Sequence, residues 1–192
     1  MTPPRRVGLL LGSLRKASVG YALARALPGL APAHLVLEPI PIGGMPFYNE
    51  DDEDQPPVSW LAFRERIRAC DAVLFVTPEY NRSVPAALKN AIDVGSRPKG
   101  LSAWDGKPAA IITYSPGSLG GYACNHHLRQ SFACLNMPTL ATPEIYLSGC
   151  AKLLDTDGAI ANAETRAFLA GAMSRFAQWI EANASARSTT HW

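Results

Sequence analysis

Three short stretches carry residue types that plain turns do not need. The first is Gly12-Ser13-Leu14-Arg15-Lys16-Ala17-Ser18, which joins an apolar run to a helix-spaced segment. A helix start offers unpaired backbone N–H groups and partial positive charge, which favours a phosphate. Ser13 and Ser18 add hydroxyls, Arg15 can hold two oxygens at once, and Gly12 permits a sharp turn. The stretch has neither the Gly-Lys-Ser/Thr of a nucleoside-triphosphate loop nor the Gly-x-Gly-x-x-Gly of dinucleotide folds. An ordinary strand-to-helix turn with a surface arginine uses the same residue types.

The second stretch is Thr77-Pro78-Glu79-Tyr80-Asn81-Arg82-Ser83-Val84-Pro85. An aromatic, an amide and charged groups after a buried strand are poor core material. They suit a flat heteroaromatic ring, with Tyr80 covering it and polar groups bonding its edge. The competing use is a turn in which Asn81 or Ser83 caps the next helix. The third stretch, Ser115-Pro116-Gly117-Ser118-Leu119-Gly120-Gly121, places three glycines within five residues. That density lets backbone approach a ligand closely, or simply punctuates a turn.

The elements that must position these stretches follow from hydrophobic periodicity. Residues 7–11 form a continuous apolar run that suits a strand buried on both faces. Ser18 is an expected N-cap for a helix with apolar positions 19, 23, 26, 27 and 30, which Pro28-Gly29 ends. Residues 35–37 read as a second strand, and 42–57 as a long loop whose acidic run 50–54 is solvated surface. A helix over 58–70 turns Trp60, Leu61, Ile67 and Cys70 to the sheet. Residues 71–76 are the clearest central strand, followed by a helix over 83–94 with Pro85 in its first turn. Strand 109–114, helix 120–135 with Cys124, Leu128, Phe132 and Leu135 on its apolar stripe, strand 145–147 and helix 162–181 complete the chain.

Five strand–helix alternations without repeats predict an α/β fold, a parallel sheet covered by helices on both faces. In the five-stranded order 2-1-3-4-5 the strand order reverses between strands 1 and 3, and ligands bind beyond the carboxyl ends there. The three stretches above follow strands 1, 3 and 4, so they are expected to share one rim.

Composition narrows the function classes. The 192 residues suit one domain, with an ordered core over 5–183 and a C-terminal tail over 184–192. A net charge of +2 with scattered Lys and Arg gives no nucleic-acid footprint. No apolar run reaches membrane length, and 7–11 is too short for a signal sequence, so the expected location is the cytoplasm. Cysteines 70, 124, 134 and 150 form no CxxC pair and are expected to be free buried thiols. A metal site from Cys124, His126 and His127 is not expected, because neighbouring histidines on a helix point about 100° apart.

The first stretch, the long run Pro78-Glu79-Tyr80-Asn81-Arg82-Ser83-Val84-Pro85-Ala86-Ala87-Leu88-Lys89-Asn90-Ala91-Ile92-Asp93, and Gly120-Gly121 leading to His127-Leu128-Arg129-Gln130 together resemble the NADPH-dependent FMN reductase family, which includes bacterial quinone, chromate and azo-dye reductases. The similarity runs over about 6–182. It implies a flavodoxin-like three-layer sandwich and non-covalent FMN. By that resemblance Ser13, Arg15 and Ser18 hold the FMN phosphate with backbone help from Val19 and Gly20. Many relatives carry Asn where this chain has Gly20, so a side-chain contact there is lost or replaced. Pro78, Glu79, Tyr80 and Asn81 lie along the isoalloxazine ring, and Ser115, Gly117 and Gly120 border it. His127, Arg129 and Gln130 take structural or interface roles.

The implied activity is electron transfer from NADPH or NADH to a small acceptor: a quinone, free flavin, azo compound or metal oxyanion. The flavin N5 carries the chemistry, no side chain acts as obligatory acid or base, and the kinetics are ping-pong. A homodimer or homotetramer is implied. The alternative is a flavodoxin-like electron carrier or FMN-binding regulatory protein without NAD(P)H activity of its own.

Overall fold

The structure is a computed structural model, described over residues 3–187, with side chains through 184. Its strands are β1 (Arg5–Leu11), β2 (Leu35–Pro39), β3 (Ala72–Pro78), β4 (Ala109–Tyr114) and β5 (Ile145–Leu147). All pair in parallel in the order β2-β1-β3-β4-β5, as the alternation predicts. The helices are α1 (Val19–Ala26), α2 (Val58–Arg68), α3 (Ala86–Gly95), α4 (Tyr122–Cys134) and α5 (Ala163–Arg187).

The period of two along each strand divides the core. Leu9, Leu74, Val76 and Ile112 pack with Leu23 of α1 and Phe176 of α5 on one face. Leu10, Phe75 and Ile111 pack with Trp60, Leu88 and Phe132 of α2, α3 and α4 on the other. Strands β3 and β4 are buried at every position, which is why they read as unbroken apolar runs.

Several helix details depart from the expectations. Leu61 is 46% exposed, and the buried face of α2 is Trp60, Phe63, Arg64 and Ile67, the i, i+3, i+4, i+7 stripe. Arg64 is tolerated inside because it donates to Val94 O at 2.9 Å. Helix α3 begins at Ala86, not Ser83, because a tight turn over 80–83 and then Pro85 hold the chain out of helical geometry. Helix α4 begins at Tyr122, after Gly120 and Gly121, both at positive φ. Helix α5 runs on to Arg187, and positions 188–192 of the expected tail lie outside the described residues. Cys134 is exposed, unlike the other three thiols.

The long loop is pinned, not loose. Buried Asn90 of α3 accepts from Tyr48 N at 2.8 Å and donates to Pro46 O at 3.0 Å, and Trp60 Nε1 donates to the same carbonyl at 3.1 Å. Within the acidic run, Glu53 is only partly exposed and accepts from Tyr48 Oη at 2.7 Å.

Candidate functional site

The parallel registers bring three loops to one rim. Leu11 pairs with Val76, Val76 with Ile112, Thr77 with Thr113 and Pro78 with Tyr114. Gly12 N continues the ladder to Val76 O at 2.9 Å. Its missing side chain is required there, since a Cβ would collide with Thr77. Gly12 therefore serves close packing of strand on strand.

In the first loop, Ser13 and Ser18 are buried and Arg15 is exposed. Ser13 Oγ accepts from Arg15 N at 3.3 Å, which folds the loop back on itself. Ser18 is the N-cap of α1: its Oγ accepts from Tyr21 N at 3.3 Å, and its carbonyl accepts from the Tyr21 and Ala22 amides. The Val19 and Gly20 amides, at the first two helical positions, have no helical carbonyl to bond. Gly20 N–H faces the hydroxyl of Tyr114 from β4.

The second loop is a two-residue turn. Tyr80 N donates to Ser83 O at 3.0 Å, and Ser83 N to Tyr80 O at 2.9 Å. Asn81 and Arg82 at its tip both have positive φ (49° and 63°), the geometry of a type I′ turn. Tyr80 is 50% exposed beside it. Neither Asn81 nor Ser83 caps α3. Ser83 Oγ instead contacts His127 Nδ1 at 3.0 Å. Glu79 turns inward, where its Oε2 accepts from Cys124 N at 3.0 Å and caps α4. The loop after β3 is thus tied to α4 at two points.

The third loop corrects the reading of its glycines. A Cβ on Gly120 would stand 2.7 Å from the Tyr146 carbonyl carbon, and one on Gly121 would stand 2.8 Å from Thr113 Cβ. Both glycines let the loop press onto β4 and β5. Gly117 alone has open space around it, with Ser115 Oγ donating to its carbonyl at 3.2 Å. Ser115 is also fixed to the far strand, through Ser115 N to Leu147 O and Cys150 N to Ser115 O, each 3.1 Å.

Cys124, His126 and His127 go to three different places. Cys124 is fully buried, and burial pushes its thiol up to about 12. His126 stacks on Tyr122 at 4.3 Å and meets Tyr146 Oη at 3.3 Å, while His127 meets Ser83. Arg129 bonds Asn125 and Leu140 O, a structural part as expected.

Two residues of this rim escape a reading by motif. Glu79 looks like a ring-edge group but closes a helix 45 residues away. Tyr114 looks like the last core residue of a strand, yet its hydroxyl reaches the start of α1. Only the unusual pairing of a terminal strand tyrosine with a helix-start glycine hints at the latter.

Cavity size does not locate the site. A cavity of about 790 Å³ is lined by Arg97, Lys99, Cys134 and Asn136, at the C-terminal ends of α3 and α4 and so at the opposite edge of the sheet. The rim is singled out instead by the start of α1, whose first amides lack helical partners.

Comparison with known proteins gives a consistent result. The sequence profile described as NADPH-dependent FMN reductase matches residues 5–152. A quinone reductase of Pseudomonas putida is 54% identical over 178 residues, which cover 92% of this chain and 95% of that one. A 2-hydroxy-1,4-benzoquinone reductase of a Burkholderia species is 42% identical, covering 91% and 96%. Among solved structures, FerB, a flavoenzyme NAD(P)H:(acceptor) oxidoreductase from Paracoccus denitrificans, superposes with a TM-score of 0.87 at 38% identity, over 93% of this chain and 98% of that one.

Proposed function

The chain belongs to the NADPH-dependent FMN reductase family, and from that premise we propose that it passes electrons from NAD(P)H to a small quinone through non-covalently held FMN, the two substrates taking turns at one flavin face. The observation that carries the site assignment is the start of α1, where the first amides, of Val19 and Gly20, lack helical partners and follow a loop that carries Ser13, Arg15 and Ser18. A phosphate monoester carries close to two negative charges, and this donor set is acceptor-poor and cationic, so the residues fit it.

When bound, FMN would supply the redox chemistry that links the nicotinamide to the acceptor. The chain's own residues bind and orient. Ser13, Arg15 and Ser18, with the Val19 and Gly20 amides, hold the phosphate. Pro78, Tyr80 and Asn81 flank the ring, while Glu79 fixes the loop that carries them by capping α4. Ser115, Gly117 and Gly120 border the other side. Backbone amides of the 80–83 turn and of residues 117–120 would stabilise negative charge that builds on the ring. No side chain is assigned as an obligatory acid or base.

The exposed Tyr80, Leu119 and Tyr122 beside the rim favour a homodimer or homotetramer that covers them. Among the described residues no helix is long and apolar enough to cross a membrane, in keeping with the cytoplasmic location inferred here. Initial rates at several fixed quinone concentrations test the shared face. Parallel double-reciprocal lines are expected, and intersecting lines would contradict alternate occupation.

A further inference from the structure

Tyr114 ends β4 in the core shared with α1 and α5, and is only 5% exposed. Its ring comes up beneath the first turn of α1. A Cβ at position 20 would stand 2.8 Å from Tyr114 Oη and 3.5 Å from ring carbons Cε1 and Cζ. The glycine is what makes room for the hydroxyl. That hydroxyl is sealed from water and among the described residues has no partner in full hydrogen-bond geometry, so its own proton has no acceptor there. A buried hydroxyl without a partner is costly and calls for an explanation.

The neighbours of the hydroxyl are the Gly20 amide and the Ser18 hydroxyl, close enough to oppose the effect of burial, which nonetheless pushes the phenol up to about 12. Tyr114 therefore remains a neutral donor across the ordinary pH range. Ser18 Oγ has one proton and two lone pairs, and one lone pair already takes the Tyr21 amide. An anion on the start of α1 would draw the Ser18 proton outward and leave the second lone pair for Tyr114.

We propose that Tyr114 is a positioning residue of the phosphate site, its hydroxyl donating to Ser18 Oγ when Ser18 in turn donates to a phosphate monoester seated on the start of α1. This rests on the flavin reading above and deepens it. Tyr114 donates to Ser18 and Ser18 to the phosphate, and each bond polarises the other, so the chain strengthens only when the terminal acceptor is present. Gly20 belongs to the same device, because a side chain there would press on the hydroxyl. The ligand chemistry selected is the phosphate, not the ring or the ribityl chain.

Fluorescence titration of the full-length chain, freed of flavin, with FMN and with riboflavin separates the two parts. Tyr114→Phe is expected to raise the FMN Kd roughly tenfold, to leave the riboflavin Kd unchanged, and to leave the thermal midpoint of the flavin-free protein equal or higher. Gly20→Ala is expected to weaken FMN binding similarly, and to add nothing further in the Tyr114→Phe background, where the displaced atom is gone. Unchanged FMN affinity in Tyr114→Phe would overturn the assignment, and so would equal weakening of FMN and riboflavin. A wild-type chain that bound neither flavin would remove the flavin reading itself, and this inference with it. Wild-type FMN binding with an indifferent Tyr114→Phe would sink this inference alone.

Discussion

The carboxylate of Glu79 accepts a hydrogen bond from the Cys124 amide at 3.0 Å, so the loop after β3 closes the open start of α4. The N-cap of that helix is Gly121, which has no side chain to do so. Glu79 also places negative charge where the helix carries partial positive charge. Glu79→Ala is expected to lower stability by about 1–2 kcal/mol, and Glu79→Gln by less, since an acceptor remains. Urea denaturation measures both. Weakened flavin binding at unchanged stability would instead make Glu79 a direct ring contact.

Arg15 stands exposed on the phosphate loop, whereas His126 is engaged with Tyr122 and Tyr146 beside β5. Arg15→Ala is expected to cost FMN binding about 1.5–3 kcal/mol, the range for a hydrogen bond to a charged group. His126→Ala is expected to leave FMN dissociation unchanged. Stopped-flow release of FMN from both variants decides the matter, and equal effects would undo the phosphate assignment.

Asn90 satisfies two backbone groups of the 43–57 loop from inside α3. Asn90→Ala leaves the Tyr48 amide unpaired in a partly buried place, with an expected loss of about 1 kcal/mol. The loop then opens more often than the rest of the protein unfolds. Limited proteolysis should show new cleavage within 43–57, and an unchanged digestion pattern would count against the pin.

Arg5 of β1 grips Glu181 of α5 through two hydrogen bonds of 2.8 Å. Those bonds hold the Glu181 carboxyl below its usual value of 4.5. A carboxyl depressed in the folded state stabilises above its unfolded pKa, and that stabilisation disappears as pH falls through the folded one. The stability gap between wild type and Glu181→Gln is therefore expected at neutral pH, to shrink below about pH 4.5, and to close in stronger acid. A gap independent of pH would mean the pair acts through packing alone. Both groups are partly exposed, so the gap is small.

Much of the architecture was legible because period and burial agree. The runs 7–11, 72–76 and 109–112 are apolar, as strands covered on both faces must be, and β3 and β4 are buried along their length. From strand order came the shared rim, since parallel strands put successive loops at one edge. The errors fall where a residue's partner is distant in sequence. Leu61 reads as core until Phe63 and Arg64 supply the true stripe. Ser83 fits an N-cap by type, but the turn at Asn81-Arg82 moves the helix start past it. Tyr114 gave little signal as a site residue because its ring belongs to the core and only its oxygen belongs to the rim.

The shared rim itself is tested most directly by a crystal structure of the full-length chain grown with excess FMN. The expected map places the phosphate against residues 13–20 at the start of α1, and the ring between the 78–82 turn and the 115–120 loop. A vacant rim, or FMN bound at another surface, would contradict the account.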